Sequence, residues 1–236
     1  MAEIHVVMVE PKYEGNIGSV ARAMKNFGLS NLVLIKPCPI GDDARKMAMH
    51  GMDILESASI FESLDEAIRE YDLIAGTSGI DTRSEKKFLR ISLPPEEFVE
   101  KVRDVDGKVA ILFGREDFGL LTNELKKCDL LITIPADSQY PILNVAQSAV
   151  VVFYELFQRP AKPSGRRASA MEKEKLHEAF AELLAITKYP PHKLERTKTM
   201  FRRMMGRASP SKWEFHALMG VIARATKKIK RLESVT

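Results

Sequence analysis

The first 158 residues alternate short apolar runs with amphipathic stretches. Five runs are almost continuously apolar, which is typical of strands that are covered on both faces of a parallel sheet. The stretches between them place apolar residues three and four positions apart, as a helix with one buried face does. This alternation predicts an α/β domain built on a parallel sheet. The strands are predicted at residues 4–9, 32–36, 73–76, 109–114 and 130–134.

The clearest predicted helix follows the first strand. A glycine-bearing turn is expected at residues 14–18, and Gly28 is expected to end the helix as its C-cap. Further helices are predicted at residues 64–71, 94–102 and 145–157. The buried face of the first helix is formed by Ile17, Val20, Ala21, Met24 and Phe27.

The last third of the chain has a different character. Residues 159–169, RPAKPSGRRAS, combine two prolines, a glycine and four basic residues, which is typical of a linker. Three helices are predicted after it, at 170–187, 190–205 and 211–232, the last with Ser209 as its N-cap. We therefore predict a domain at 1–158, a linker at 159–170 and a helical extension at 171–236.

Charge separates the same two parts. The net formal charge is −8 over residues 1–158 and +12 over residues 159–236, although the whole chain carries only +4. Such an asymmetry predicts that the extension binds a polyanion such as RNA. A solvated basic helical surface is the alternative interpretation.

Several classes of protein are disfavoured by what the sequence lacks. No apolar run reaches the roughly 18 residues of a membrane span, and no secretory signal pattern opens the chain. The two cysteines, Cys38 and Cys128, are far apart, and the five histidines form no metal-spaced pair. We therefore expect a cytoplasmic protein with no membrane anchor and no metal site.

Glycine-rich fragments do not indicate a nucleotide site. Gly114 and Gly119 have P-loop spacing, but Leu120 and Leu121 stand where the lysine and Ser/Thr are required. No Gly-x-Gly-x-x-Gly follows a strand, which disfavours a dinucleotide enzyme. Polar or glycine-rich segments nevertheless follow the first, third, fourth and fifth strands. Because ligands gather at the carboxyl ends of parallel strands, these segments predict one shared pocket; ordinary connecting loops are the alternative.

Three blocks carry a specific resemblance: NIGSVARAMKNFGLSNLVLI, LFGREDFGLLTNEL and ITIPADSQYPILNVAQSAVVVFYEL. In content, order and spacing they resemble the SPOUT-class RNA 2′-O-ribose methyltransferases of the TrmJ type. The basic helical tail is also similar to the C-terminal extension of that type. The resemblance therefore covers nearly the whole chain.

The resemblance implies a fold and an activity. The α/β domain would carry a C-terminal trefoil knot, bind S-adenosylmethionine and work as a homodimer. Its substrate would be tRNA, methylated on the 2′-hydroxyl of the pyrimidine at nucleotide 32 of the anticodon loop. Two alternatives stay open: methylation of another tRNA or rRNA ribose, and a non-catalytic RNA-binding protein on the same scaffold.

The resemblance also implies site residues. Arg22 is the catalytic candidate, accompanied by Asn16. An arginine stays protonated to above pH 12, so we expect it to orient the ribose and stabilise the developing oxyanion. Some relatives carry a serine where this sequence has Ile142, so a hydroxyl contact is missing there. The cofactor is expected to contact Thr77, Ser78, Gly79, Gly114, Glu116, Ile134, Ile142, Leu143 and Asn144.

The expected RNA-binding residues are arginines. Four lie in the basic tail, and three would extend the basic track towards the pocket. They are Arg196, Arg202, Arg203 and Arg207 in the tail, and Arg83, Arg90 and Arg115 in the α/β domain. Neutralising several phosphates in this way supplies affinity that falls as salt rises.

Overall fold

A computed structural model describes residues 2–79, 92–103, 105–158, 169–208 and 210–233. The chain divides into two compact units, Met1–Pro163 and Ser164–Thr236. Each unit has its own hydrophobic core and is described by itself. The boundaries proposed from the sequence stay a prediction, because most of the expected linker lies outside the described residues.

The first unit is built on a parallel sheet. Its described strands have the order β3-β2-β1-β5-β4-β6, and every pairing between neighbours is parallel. The five predicted strands are confirmed, with ends shifted by one or two residues. β3 was not predicted, because its three residues are mostly exposed and lack a continuous apolar run. The strands are β1 Glu3–Val9, β2 Asn31–Ile35, β3 Ser59–Phe61, β4 Leu73–Thr77, β5 Lys108–Phe113 and β6 Leu130–Ile132.

Both faces of the sheet are covered. In β1, Val6 and Met8 belong to one hydrophobic core, while Val7 and Val9 belong to a second core on the opposite face. Successive side chains of a strand point to opposite faces, so a strand between two apolar layers must be apolar at every position. This explains why the strands read as continuous apolar runs.

The helices of this unit include several that periodicity did not predict. Residues 14–18, expected to form a turn, are instead the first residues of α1, so that expectation is wrong. The helix predicted at 64–71 is shorter in the structure. The bounds are α1 Glu14–Asn26, α2 Asp42–Ala48, a 3₁₀ turn Met49–Gly51, α3 Met52–Glu56, α4 Leu64–Ala67, α5 Pro95–Val102, α6 Thr122–Leu125 and α7 Val145–Gln158.

Helix α1 begins early because α2 packs closely against it. The Glu14 carboxylate accepts hydrogen bonds from the backbone N–H groups of Gly41 (2.5 Å) and Ala44 (3.2 Å) at the start of α2. A Cβ atom at Gly18 would lie 2.1 Å from the carbonyl oxygen of Ala44. Gly18, the second glycine of residues 14–18, is therefore needed for a close helix crossing, and it does not form a turn.

The end of α1 has the predicted form. Gly28 adopts φ +70°, and the backbone N–H of Leu29 donates to the carbonyl of Met24 at 2.9 Å. This is the Schellman arrangement, in which glycine avoids the steric cost of a left-handed backbone. Gly28 therefore ends the helix as predicted, although it occupies the position after the C-cap residue, which is Phe27.

The second unit contains three described helices, α8 Ala170–Ile186, α9 Pro191–Ala208 and α10 Lys212–Glu233. Its core is made by Leu176, Phe201, Phe215 and Ile222, and Phe180 stacks on Phe201 with ring centroids 4.0 Å apart. None of the helices in the described parts of either unit is long and apolar enough to cross a membrane.

Serine hydroxyls cap two of these helices. Ser169 accepts from the N–H of Glu172 at 3.3 Å, and Ser211 accepts from the N–H of Glu214 at 3.3 Å. In both, the glutamate carboxylate accepts in return from the N–H of the serine, at 2.8 Å, which completes a capping box. Ser211 therefore caps α10; the expected cap, Ser209, lies outside the described residues.

We expect Gly18→Ala to destabilise the protein by about 1–3 kcal/mol, because its methyl group would press into the backbone of α2. The matched control is Gly15→Ala in the same helix, where the nearest atom to an added Cβ is 3.8 Å away. Alanine is a better helix former than glycine by up to about 1 kcal/mol, so the control should be neutral or stabilising. Urea unfolding of both variants measures the difference, and equal stabilities would contradict the close crossing.

Candidate cofactor and substrate site

A cavity of about 360 Å³ opens at the carboxyl ends of β4, β5 and β6. Three connecting segments form its wall, one after each strand. Its lining residues are Thr77, Ser78, Gly79, Phe113, Gly114, Arg115, Glu116, Asp117, Phe118, Gly119, Leu120, Leu125, Ile132, Ile134, Pro141, Ile142, Leu143, Val145 and Ser148. The structure therefore brings together eight of the nine residues expected to contact a cofactor, and Asn144 adjoins the lining residues Leu143 and Val145.

Side-chain hydroxyls tie the strand ends to one another. The Thr77 hydroxyl donates to the carbonyl of Leu112 at 2.9 Å, which joins β4 to β5. The Thr133 hydroxyl donates to the carbonyl of Ser78 at 2.8 Å, which joins the segment after β6 to the end of β4. These hydrogen bonds within the protein therefore hold the cavity wall together.

The two predicted cofactor glycines are crowded by the protein's own atoms. A Cβ at Gly114 would lie 2.1 Å from the carbonyl carbon of Gly119, and one at Gly79 would lie 2.6 Å from Cδ1 of Ile142. The loop at 114–119 closes on itself through paired backbone hydrogen bonds between Arg115 and Gly119, at 2.8 and 3.2 Å. The glycine at 114 is thus needed for the tight loop itself.

Arg115 is a structural residue and is not available to RNA. Its side chain is only 7% exposed, and its guanidinium donates two parallel hydrogen bonds of 3.0 Å to the Glu124 carboxylate. A third bond, of 3.0 Å, runs from Nε to Glu10. The bonds to Glu124 are the main reason that the pKa of Arg115 is raised. The expectation that Arg115 extends a basic track is therefore wrong.

Glu116 joins the β5 segment to the start of α1. Its carboxylate accepts hydrogen bonds from the backbone N–H of Lys12 (2.9 Å) and of Tyr13 (3.3 Å), and from Asn16 Nδ2 (2.8 Å). Glu116, which is expected to contact the cofactor, therefore has a carboxylate that already holds the start of α1 in place. Next to it, Lys12 forms an ion pair with Asp117, whose pKa is lowered by that hydrogen bond.

Asn16 and Asn144 form a link between α1 and α7. Asn144 Nδ2 donates to Asn16 Oδ1 at 3.3 Å, and Asn144 Oδ1 accepts from the N–H of Ala146 at 2.8 Å in the first turn of α7. A continuous chain of hydrogen bonds therefore runs from Glu116 through both asparagines to a helix terminus. Asn16 does not line the cavity itself.

Arg22 lies on the exposed side of α1. It is six positions, or about 1.7 turns, beyond Asn16, which places the two side chains about 120° apart around the helix. The structure records no hydrogen bond or ion pair for Arg22 with any of the described residues. Arg22 is also not among the residues that line the cavity, so the catalytic candidate and the cavity are not in contact in this structure.

The predicted arginines of the second unit have different surroundings. Arg196 is exposed and Arg207 is half-buried, whereas Arg202 donates to both oxygens of Glu174 at 2.8–2.9 Å. Arg203 is only 1% exposed. The expectation that Arg203 contacts RNA is wrong, because its side chain is buried within the helical unit. Arg83 and Arg90 lie outside the described residues.

No metal centre is evident in the described parts of the chain, which hold no group of three or more potential His, Cys, Asp or Glu ligands. The site therefore offers an apolar-walled cavity, a carboxylate and two linked amides.

Sequence reasoning missed Glu10 and Glu124, which hold Arg115, and Lys12, which faces the ring of Phe118 at 5.3 Å. The spacing of these residues in the sequence carries no signal of their contacts.

The family model described as the SpoU rRNA Methylase family matches residues 3–154, which include the whole sheet and the cavity. The chain belongs to the SpoU methylase family. A relative from Methanocaldococcus jannaschii, named tRNA (cytidine-2′-O-)-methyltransferase TrmJ, is 38% identical over 92% of this chain and 96% of its own length. The tRNA (cytidine/uridine/adenosine-2′-O-)-methyltransferase TrmJ of Pseudomonas aeruginosa is 33% identical over 97% of this chain and 95% of its own length.

Solved structures share the fold of this SpoU methylase family member. The crystal structure of TrmJ from Z. mobilis ZM4 superposes with a TM-score of 0.72 at 27% identity. That alignment covers 93% of this chain and 97% of the other. The resemblance identified from the three sequence blocks is therefore confirmed at the level of the TrmJ type.

We expect Arg115→Ala to lower the free energy of unfolding by about 3–5 kcal/mol, because it leaves the buried Glu124 carboxylate without its ion pair. The control is Arg69→Ala, at an exposed position of the same unit, which should change stability by less than about 0.5 kcal/mol. Chemical denaturation measures both. A mild effect of Arg115→Ala would show that its guanidinium is not needed to hold the loop.

Proposed function

We propose that the protein transfers a methyl group from S-adenosylmethionine to the 2′-hydroxyl of a tRNA ribose. The observation that carries this proposal is the 38% identity, over almost the full length of both chains, to an enzyme named for tRNA cytidine-2′-O-methylation. The cavity and the basic charge of the second unit support it. The cytoplasm is the compartment that we propose, and both cysteines are free in the structure.

The cavity fits S-adenosylmethionine in size and chemistry. Its volume of about 360 Å³ lies within the 300–1,000 Å³ that is typical of small-molecule sites. Ile134, Ile142 and Leu143 offer apolar walls for an adenine ring, and the backbone of 77–79 offers polar groups. When bound, the cofactor supplies a methyl group on a positively charged sulfur. We propose that the nine predicted contact residues, including Asn144 at the edge of the cavity, hold it there.

Arg22 is proposed to act on the ribose, and Asn16 is proposed to assist it by positioning α1. The 2′-oxygen becomes more negative as its proton leaves to solvent water, and that charge is used up as the oxygen–methyl bond forms and the bond between the methyl carbon and the donor sulfur breaks. A guanidinium is a poor acceptor for that proton because it stays charged far above neutral pH. Arg22 instead donates hydrogen bonds to the ribose oxygen and the adjacent phosphate, which stabilises the developing charge. Asn16, held by Glu116, fixes the start of α1 against the cavity wall.

A homodimer is proposed because part of the α1–α7 surface is apolar. α1 packs against α7, and the exposed side of α7 carries Val150, Tyr154 and Phe157 at helical spacing. Tyr154 and Phe157 both contact the ring of Phe27 at the end of α1, with centroids 6.2 and 5.9 Å apart. A second copy that covers this surface, here called the α7 patch, would also exclude water from the neighbourhood of α1.

We also propose the trefoil knot that the family resemblance implies. The sheet order supports it, since β6 pairs with β4 at one edge and α7 then returns to pack against α1. The chain between β6 and α7 itself contributes Ile134, Pro141, Ile142 and Leu143 to the cavity lining, and we propose that this segment is the threaded part. Such threading is rare in proteins in general, so the family relationship, not a packing rule, motivates the proposal.

The proposed target is the pyrimidine at nucleotide 32 of the anticodon loop. The names of the relatives specify cytidine in one case and cytidine, uridine and adenosine in another, so base preference varies among them. Incubating the purified protein with S-adenosylmethionine and unmodified bulk tRNA, followed by mapping of 2′-O-methylated nucleosides, tests the proposal. Methylation elsewhere in tRNA or in rRNA would change the target, and no methylation of any RNA would favour a non-catalytic RNA-binding role.

We expect Arg22→Ala to lower the rate of methyl transfer by at least about 10²–10³-fold, as does the loss of one donor to an oxyanion. Affinity for S-adenosylmethionine, measured by calorimetry, should be nearly unchanged, since Arg22 does not line the cavity. Lys25→Ala, at an exposed position of the same helix, is the control and should retain activity. Full activity of Arg22→Ala would eliminate the proposed role.

We expect Tyr154→Glu to dissociate the dimer, because it places a charge in the α7 patch. Sedimentation velocity should then show a monomer at concentrations where the wild type is dimeric. Ile60→Glu, which replaces an equally exposed apolar residue on the edge strand β3, should leave the dimer intact. If both variants and the wild type sediment alike, the α7 patch is not the interface.

A further inference from the structure

One long face of α10 remains exposed along the whole helix. Arg224, Lys228 and Arg231 follow Trp213 by 11, 15 and 18 positions. At 100° per residue, they lie within about 60° of it around the helix axis. The face carries Trp213, Ala217, Val221, Arg224, Lys228 and Arg231, all of which are exposed. The opposite face carries Phe215 and Ile222, which are buried in the core of the second unit. We refer to the exposed set as the α10 face.

Trp213 stands out on this face because it is a large apolar residue that the protein leaves in water. It is 78% exposed, and it is the only tryptophan in the chain. Beside it lies a shallow apolar groove of about 400 Å³, lined by Met205, Ala208, Pro210, Ala217, Leu218 and Val221 with Trp213 and Glu214. A flat aromatic ring next to an apolar groove is a suitable contact for another flat apolar ring.

The rest of the α10 face is basic. No Asp or Glu occurs between Glu214 and Glu233, whereas Arg224, Lys227, Lys228, Lys230 and Arg231 all fall in that interval. Glu214 is engaged at the cap, where its carboxylate accepts from the N–H and hydroxyl of Ser211 at 2.8 Å each. Lys230 is turned towards Glu182, with which it pairs at 2.5 Å. Arg224 and Lys228 have no recorded ion pair with any described residue.

We propose that this face binds a single-stranded segment of RNA, with one unpaired base stacked on Trp213 and the following backbone along Arg224, Lys228 and Arg231. Proteins that bind single strands combine an aromatic platform for bases with a cationic track for phosphates. The face spans about 27 Å from position 213 to 231, enough for several nucleotides. The inference rests on the proposed function only in taking tRNA as the natural source of that strand.

Two other occupants fit less well. A helix that lies on a membrane has an apolar face along its whole length, with its cations on the other side. Here the apolar and basic residues share one face and follow one another along it. A protein partner would need a carboxylate-rich surface with an apolar pocket at one end, whereas a single RNA strand carries apolar bases and a regular row of phosphates by its own chemistry.

The single tryptophan makes the proposal directly measurable. Full-length protein is titrated with a single-stranded oligoribonucleotide of about 12 nucleotides while tryptophan emission is recorded. We expect strong quenching by this RNA, and little quenching by an abasic strand of equal length, which has the same phosphates without bases. Quenching of equal depth by both strands, or by neither, would overturn stacking on Trp213.

Variants then separate stacking from charge. Trp213→Ala should weaken binding of the single strand about 5- to 100-fold, as does the loss of one stacked base, and Trp213→Phe should restore most of it. Neither change should alter the dependence of affinity on salt. In contrast, Arg224→Gln and Lys228→Gln should each reduce the slope of log K against log salt by about 0.7. Unchanged affinity of Trp213→Ala in a fluorescence anisotropy assay would refute the proposal.

The outcome is separable from that of the proposed function. If the wild type methylates tRNA but Trp213→Ala binds RNA normally, the stacking inference fails and the methyltransferase stands. If Trp213 is quenched by RNA and no methylation occurs, the binding face stands and the proposed activity fails. Anionic vesicles provide a further control. A blue shift of tryptophan emission with vesicles, together with no response to RNA, would assign the face to a membrane and overturn the proposal.

Discussion

One carboxylate organises the candidate site. Glu116 lies just after β5, and it accepts from two backbone N–H groups before α1 and from the amide of Asn16. Hydrogen bonds to an ionised group are stronger than those between neutral groups, and the backbone donors at a helix start lack partners within the helix. The position of α1 relative to the cavity therefore depends on this residue. Through Asn16 the same constraint reaches Asn144 and the start of α7.

A second cluster keeps the carboxylate in place. The loop that carries Glu116 is anchored one residue earlier by Arg115, which is held between Glu124 and Glu10. Burying these charges costs desolvation energy that their mutual attraction offsets only with good geometry. The paired bonds to Glu124 provide that geometry. The Leu121 N–H also donates to Glu124, at 2.7 Å, so the start of α6 is held by the same carboxylate.

The parts of this structure that follow from local physics were predictable. Continuous apolar runs identified five strands, and Gly28 identified a helix end, because each depends on neighbours in the sequence. The helical state of residues 14–18 did not follow from the sequence, since two glycines disfavour a helix and contacts with distant parts of the chain, such as that of Gly18 with α2, compensate. Burial of Arg115 and Arg203 was also missed. Counting arginines as surface charge ignores partners such as Glu10, more than 100 positions away in the chain.

The location of the candidate site could be predicted from the sequence better than its mechanism could. Strand-end segments converge in any parallel sheet, so Thr77, Gly114 and Leu143 were expected to lie near one another. The orientation of Arg22 follows equally from helix periodicity, but its consequence depends on what covers it. In bulk water a unit charge 4 Å away contributes about 1 kcal/mol, whereas near a protein surface with reduced dielectric the contribution is about 4 kcal/mol. An exposed guanidinium is therefore a weak electrostatic catalyst until another surface excludes water from it. Since the described residues leave Arg22 exposed, the catalytic role proposed for it would require bound RNA or another protein surface to exclude water from the guanidinium.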